Sequence, residues 1–266
     1  MSARVRLDVL VWQRGLAPSR AKAQACILAG QIAVNGTRVT RAGTQVTPDV
    51  TLTCLSPASP YVSRGGEKLA AALAAFAVPV LQTVAMDIGA STGGFTDCLL
   101  QAGAARVYAV DVGYGQLHWR LRTDPRVRVL ERTNARYLTP AQIPEPIQLC
   151  TVDASFISLR LLLPALLPLL ALQAHGVLLI KPQFEVGKGQ VGKHGVVHEP
   201  QLHQQALLEV LTAAQASGFG LLAALPSPLL GPKGNREFLA HVQLGRPAIS
   251  LTDLQNLCAC TVAVPR

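Results

Sequence analysis

Between residues 84 and 181 the chain repeats one pattern, a short apolar run that ends on a charged residue. Val84-Ala85-Met86 runs into Asp87, Val107 to Val110 into Asp111, Gln148 to Val152 into Asp153, and Gly176 to Ile180 into Lys181. Runs this short, bounded by turn residues, read as buried strands. Helical stretches separate or flank them: an Ala-rich segment after Lys68 and Thr96 to Ala102. The alternation predicts an α/β fold on a mostly parallel sheet, where ligands sit outside the carboxyl ends of the strands. A further strand opens at Glu237-Phe238. Leu161 to Leu172 reads as a buried helix with irregular ends, since it contains Pro164 and Pro168 and is too short to span a bilayer.

The first sixty residues are patterned differently. Arg6 to Trp12 begins an amphipathic helix that ends near Gly15, and Ser19 caps a second helix that runs to Ala29, with Gly30 closing it. Asn35-Gly36 then separates Gln31–Val34 from Thr37–Thr40, the strongest short hairpin signal. Ser56-Pro57-Ala58-Ser59-Pro60 reads as a linker. The expected division is therefore a small α+β domain with its linker over residues 1–60 and a larger α/β domain over 61–266.

Charge sharpens this division. The 266 residues carry a net +9, which favours an anionic partner. Residues 1–60 hold seven Lys/Arg against two Asp, and the rest seventeen against thirteen, so the first domain is the more basic per residue. Arg4, Arg6, Arg14, Arg20, Lys22 and Arg41 are its candidate contacts to a nucleic-acid backbone, joined by Arg64, Lys188 and Lys193 in the second domain. Such contacts position a protein without reading sequence. The six cysteines form no C-x-x-C pair, so no zinc site is expected, and free thiols fit a reducing cytoplasm. No signal-peptide-like stretch opens the chain. His194 and His198 have no evident third ligand, so no metal is expected. Nothing in the pattern sets an oligomeric state.

The turn after the first apolar run, Asp87-Ile88-Gly89-Ala90-Ser91-Thr92-Gly93-Gly94-Phe95, joins a strand to a helix N-terminus. Such a turn offers bare backbone and unpaired N–H groups to a ligand. Asp111 lies where a carboxylate usually holds a ribose diol. The glycine order is not that of a pyrophosphate-binding turn. Asp87 would repel a pyrophosphate and suit the amino-acid end of S-adenosyl-L-methionine. The candidate cofactor residues are Asp87, Gly89 to Phe95, Asp111, Val112 and Asn134.

Lys68, Asp153, Lys181 and Glu237 fall in that order at the edges of expected elements. Methylating a ribose 2′-hydroxyl requires removing a proton from a very weak acid. A lysine can take it only when neutral, which a second nearby cation favours, while carboxylates orient the ammonium groups. In this reading Lys181 is the base, Lys68 the second cation, and Asp153 and Glu237 their anchors. Asp153-Ala154-Ser155-Phe156 lacks the prolines typical of exocyclic-amine methylation, and Cys150 lies inside a strand rather than at its end, where a carbon-five nucleophile would be needed. Phe184 to Glu199 reads as a mobile basic loop that closes over a nucleotide.

Two resemblances extend the reading. Leu7-Asp8-Val9-Leu10, Ser19-Arg20-Ala21-Lys22-Ala23 and Gly30-Gln31-Ile32-Ala33-Val34-Asn35-Gly36 resemble the S-four-like RNA-binding domain. Ser63 to Leu69, Asp87 to Asp97, Asp111 to Leu117, Glu131 to Arg136, Asp153 to Leu159 and Lys181 to Glu185, continuing to His198, resemble the TlyA family, haemolysin-like in older naming. That resemblance implies a Rossmann-like class I methyltransferase sheet with helices on both faces and an FtsJ-like catalytic domain. It also implies S-adenosyl-L-methionine as cofactor, ribosomal RNA in ribosomal subunits as partner, cytidine 2′-O-methylation as activity, and a Lys68, Asp153, Lys181, Glu237 tetrad. Tyr61 stands where the family often has Trp, and the tail from Leu251 carries no functional motif. Two other readings are a membrane-active haemolysin, which would need an apolar or amphipathic membrane segment not seen here, and a non-catalytic ribosome-binding factor, which would not need the four charges.

Overall fold

The computed structural model describes residues 4–55 and 59–264, with Lys188 by its backbone alone. Of the expected linker, Ser56, Pro57 and Ala58 lie outside the described residues. The chain divides into two units, Met1–Pro60 and Tyr61–Arg266.

In the first unit β1 (Val5–Arg6) leads into α1 (Leu7–Gln13) and α2 (Arg20–Leu28), followed by β2 (Ile32–Val34), β3 (Thr37–Val39), β4 (Gln45–Val46) and β5 (Leu52–Cys54). Ser19 caps α2 by accepting the Lys22 N–H at 3.2 Å. Asn35 and Gly36 both have positive φ, 50° and 78°, as a two-residue hairpin turn demands. β1 pairs with β4, and β2 lies between β3 and β5. Leu7, Leu10, Val11, Ala23, Ile27 and Ile32 form the core. Beside it, Asp8 is fully buried in the first turn of α1. Its carboxylate accepts from Arg6 Nε at 3.0 Å, Arg20 Nε at 3.0 Å and Gln24 Nε2 at 2.7 Å. These bonds hold the Asp8 carboxyl well below the usual carboxylate range, with Arg6 the largest cause.

The second unit runs α3 (Gly65–Phe76), β6 (Val84–Ile88), α4 (Gly94–Gln101), β7 (Arg106–Val110), α5 (Trp119–Arg122), β8 (Val127–Leu130), β9 (Ile147–Val152), α6 (Leu159–Leu166), β10 (Leu170–Ile180), α7 (Pro182–Glu185), α8 (Pro200–Ala216), β11 (Phe219–Pro226), β12 (Phe238–Leu244) and α9 (Leu251–Ala263). Seven strands form one sheet in the order β11-β12-β10-β9-β6-β7-β8. β8, β7, β6, β9 and β10 are parallel, and β12 runs antiparallel to both β10 and β11. Alternate residues feed opposite faces: Tyr108 and Val110 enter one core, Val107 and Ala109 the other. The expected α/β fold with a mostly parallel sheet is therefore present.

Two elements depart from expectation. α4 starts at Gly94, two residues before Thr96. The Leu161–Leu172 helix ends early: α6 stops at Leu166, a 3-10 turn spans Leu167–Leu169, and β10 already begins at Leu170. Pro168 cannot donate to a continuing helix. Leu170 pairs with Ile147, and a register shift separates that bridge from the next, at His175.

Candidate active site

The turn after β6 is shaped by its neighbours. Gly89 has φ +84°, and a Cβ there would meet the Asp153 carbonyl oxygen at 2.6 Å. β6 and β9 are parallel neighbours, and Asp153 N–H donates to Ile88 O at 2.8 Å, which brings the two backbones together. At Gly94 a Cβ would strike Ser63 Oγ at 2.2 Å and the Gly66 nitrogen at 2.8 Å, so only glycine admits the start of α3 against α4.

Asp111 follows β7, and its carboxylate clasps two loops. It accepts the Ser91 N–H at 2.7 Å and the Gly113 N–H at 2.6 Å, one bond to each oxygen. Each oxygen keeps a lone pair for a further donor. Asp111 lines a cavity of about 510 Å³ together with Gly89, Ser91, Val112, Asn134, Ile157 and Leu162. That volume suits a small-molecule cofactor. A spare carboxylate acceptor, a bare backbone turn and apolar walls match a ribose diol and a purine, so the residues fit S-adenosylmethionine.

A second cavity, of about 410 Å³, lies on the side of α3 and β12. Gly89, Ser91, Asp153 and Lys181 line both cavities. Of the other candidate cofactor residues, Ala90, Thr92, Gly94 and Phe95 face this second cavity, and Gly93 is buried and lines neither.

Asp87, expected at the cofactor's amino-acid end, also lines neither cavity and has no exposed surface. Its carboxylate accepts from Thr96 Oγ1 at 2.7 Å and Thr151 Oγ1 at 3.2 Å, holding the first turn of α4 from below. Burial, and secondarily the Asp153 charge, push its pKa up to about 7. The folded value lies above the ordinary carboxylate value, so this group's contribution to stability is present in full in acid and is lost as pH rises through 7. Between pH 6 and 8 the loss is on the order of 1 kcal/mol, roughly 2–4 °C in Tm. Thermal melts of Asp87→Asn should lack that decline. An identical decline in the variant assigns it to another group.

The four candidate catalytic charges line the second cavity as two ion pairs. Lys68 Nζ, from the first turns of α3, lies 2.5 Å from Glu237 Oε2. Lys181 Nζ, just beyond β10, lies 2.5 Å from Asp153 Oδ1, just beyond β9. The sheet register sets this: Leu178 pairs with Val152, and Ile180 with Phe238. Lys181 also donates to Ser155 Oγ at 3.0 Å. Lys68, Lys181 and Glu237 are 8%, 7% and 1% exposed, and Glu237 Oε1 has no hydrogen-bond partner among the described residues. Buried ion pairs add little net stability, so their place on a cavity wall points to chemistry.

Three residues escaped the sequence reading. Ser155 holds the Lys181 ammonium. Glu185, on α7, accepts Ser158 Oγ–H at 2.5 Å and Leu159 N–H at 2.9 Å, and so ties the Lys181 segment to the segment after Asp153. Asn235 donates to Gly195 O at 2.9 Å and accepts the Val197 N–H at 3.1 Å. The 184–199 stretch, expected as a mobile loop, is thus anchored, with 3-10 turns at Lys188–Gln190 and Lys193–Gly195. Ser155 and Glu185 stand within motif stretches, which was the available signal.

The candidate RNA contacts divide. Arg4, Lys22, Arg41, Arg64 and Lys193 are exposed, and Arg64 lines the second cavity. Arg6 and Arg20 are also exposed but spend their Nε donors on Asp8. Arg14 donates to the carbonyls of Val50, at 2.7 Å, and Pro48. These three therefore brace the first unit. The Lys188 side chain lies outside the described residues. Among the described residues no group of His, Cys, Asp and Glu could hold a metal ion, and no helix is long and apolar enough to cross a membrane.

Residues 61–244 match the FtsJ-like methyltransferase family and residues 5–52 the S4 domain. The 16S/23S rRNA (cytidine-2′-O)-methyltransferase TlyA of Mycobacterium tuberculosis is 50% identical over 239 residues, 90% of this chain and 89% of that one. Hemolysin A of Brachyspira hyodysenteriae is 41% identical, over 89% of this chain and 99% of its own. A solved structure of a hemolysin candidate from Streptococcus thermophilus, 41% identical, superposes with a TM-score of 0.77 over 98% of this chain and 96% of that one.

Proposed function

Because the chain belongs to the FtsJ-like methyltransferase family and carries an S4 domain ahead of the catalytic one, we propose that it methylates a cytidine 2′-oxygen of ribosomal RNA. The methyl donor is S-adenosyl-L-methionine. The observation that carries this reading is the pair of Lys–carboxylate contacts on the cavity that adjoins the cofactor-sized one. A catalyst of small-molecule or protein methylation has no need of an S4 domain. The same reading places the enzyme in the cytoplasm, with ribosomal subunits as its partner.

Bound S-adenosylmethionine would supply an electrophilic methyl group. The chain's own residues do the rest. Asp111, with the backbone of the Gly89–Gly94 turn, would hold the cofactor's nucleoside and leave its reactive end toward Asp153 and Lys181, which line both cavities. Lys181 rests as the ammonium paired with Asp153; after releasing one proton to solvent, the amine takes the proton of the target 2′-hydroxyl at Nζ, with Asp153 and Ser155 fixing that nitrogen. Lys68, held by Glu237, supports the 2′-oxygen as it gains negative charge. Methyl transfer is an in-line displacement, so this fixed geometry supplies much of the rate.

The test is incorporation of labelled methyl groups from S-adenosylmethionine into separated ribosomal subunits. Label in the RNA of at least one subunit is expected. No label in either subunit or in free ribosomal RNA, with cofactor binding intact, would overturn the proposal.

A further inference from the structure

We propose that Arg64 and Lys233 form a phosphate clamp at the mouth of the second cavity, holding RNA phosphodiesters that flank the target ribose. This inference rests on the functional reading above and adds to it a binding site of its own.

Charge balance within the cavity carries the argument. Six charged side chains line it. Four of them cancel as Lys68 with Glu237 and Lys181 with Asp153. The remaining two, Arg64 and Lys233, are exposed, and neither makes an ion pair among the described residues. The cavity therefore has two uncompensated positive charges at solvent and a neutralised tetrad within. A neutral nucleoside would gain nothing from them, whereas a phosphodiester strand gains one charge-assisted contact at each.

The backbone favours the same reading for Lys233. It sits at φ +59° in the turn between Gly231 and Gly234. A left-handed conformation is costly for a residue with a side chain, and such strain gathers at functional sites. The turn is anchored, not free: Gly231 N–H donates to Asn235 O at 2.8 Å, and Asn235 also bonds Pro232 O at 3.3 Å. It lies close to the Gly-rich stretch, since a Cβ on Gly195 would come within 3.9 Å of Lys233 Nζ. Arg64 comes from a different segment, immediately before α3, whose Lys68 pairs with Glu237. Two separate segments, each next to one partner of that catalytic pair, thus present one free cation apiece.

The experiment uses the full chain with a short fluorescent single-stranded RNA, and measures binding across a series of salt concentrations. Each phosphate contact to a single strand contributes about 0.7 to the slope of log affinity against log salt. Arg64→Ala and Lys233→Ala should each lower the slope by about that amount, and the double variant by about twice as much. Arg246→Ala, an exposed cation lining neither cavity, should leave it unchanged. Thermal melts and cofactor affinity should match wild type in all three single variants. Slopes equal to wild type in both cavity variants, or an equal loss in Arg246→Ala, would overturn the clamp. Altered slopes without any methyl incorporation would keep the clamp and sink the methyltransferase reading. Methylation with unaltered slopes would do the reverse.

Discussion

Lys181→Ala is expected to lower methyl transfer by at least about 10³-fold while S-adenosylmethionine still binds. A positioned general base contributes about 10²–10⁴ in rate, and the loss here includes the ammonium that holds Asp153 in place. The contacts proposed for the cofactor's nucleoside, at Asp111 and the glycine turn, are untouched by the change. Lys181→Arg separates two roles. Arginine keeps the positive charge beside Asp153 but cannot give up a proton in a protein, so it should retain the fold and be as inactive as alanine. Single-turnover rates and calorimetric cofactor titration read both quantities. Substantial activity in the arginine variant would make Lys181 an electrostatic anchor and move the base elsewhere.

Gly89→Ala should instead weaken cofactor binding itself. At φ +84° an L side chain is already strained, and its Cβ would sit 2.6 Å from a backbone oxygen of Asp153. A backbone atom inside the sheet cannot step aside as a side-chain tip can. The strain must therefore open the β6–β9 contact or rebuild the turn, and Asp153 moves with it. Destabilisation of at least about 2 kcal/mol and a loss of at least about 100-fold in affinity are expected. Gly115→Ala is the matched control, since its φ is also positive, +70°, but nothing lies within 4 Å of its Cβ. Equal affinities in the two variants would show that left-handed strain alone, and not the close approach to Asp153, matters at residue 89.

What could be read from the sequence was local. Strand ends and the glycine turn are legible because the fold puts chemistry where an apolar run stops, and Asp111, Asp153 and Lys181 all follow that rule. The Asn35-Gly36 hairpin is legible because its backbone demands two residues tolerant of positive φ. What was missed depends on partners remote in the chain. Nothing near Arg6 or Arg20 marks them as structural until Asp8 is seen to be buried between them. Asp87 looks like a ligand in a turn motif, but Thr151, on a strand 64 residues away, takes it down into the core. Asn235 and Glu185 act through backbone groups of other segments, and no spacing announces that. The start of β10 was hidden because a leucine-rich run reads alike as helix or strand, and the pairing of Leu170 with Ile147 decides it.

A site that delivers a methyl group to a ribose oxygen leaves a chemical mark on its product. Alkali cleaves an RNA chain only where a free 2′-hydroxyl can attack the neighbouring phosphorus. Labelled RNA from the reaction is therefore hydrolysed in alkali and, in parallel, digested to nucleosides. Label is expected in an alkali-resistant dinucleotide and in a single nucleoside, 2′-O-methylcytidine. Label recovered on a base, in alkali-sensitive mononucleotides, would contradict it.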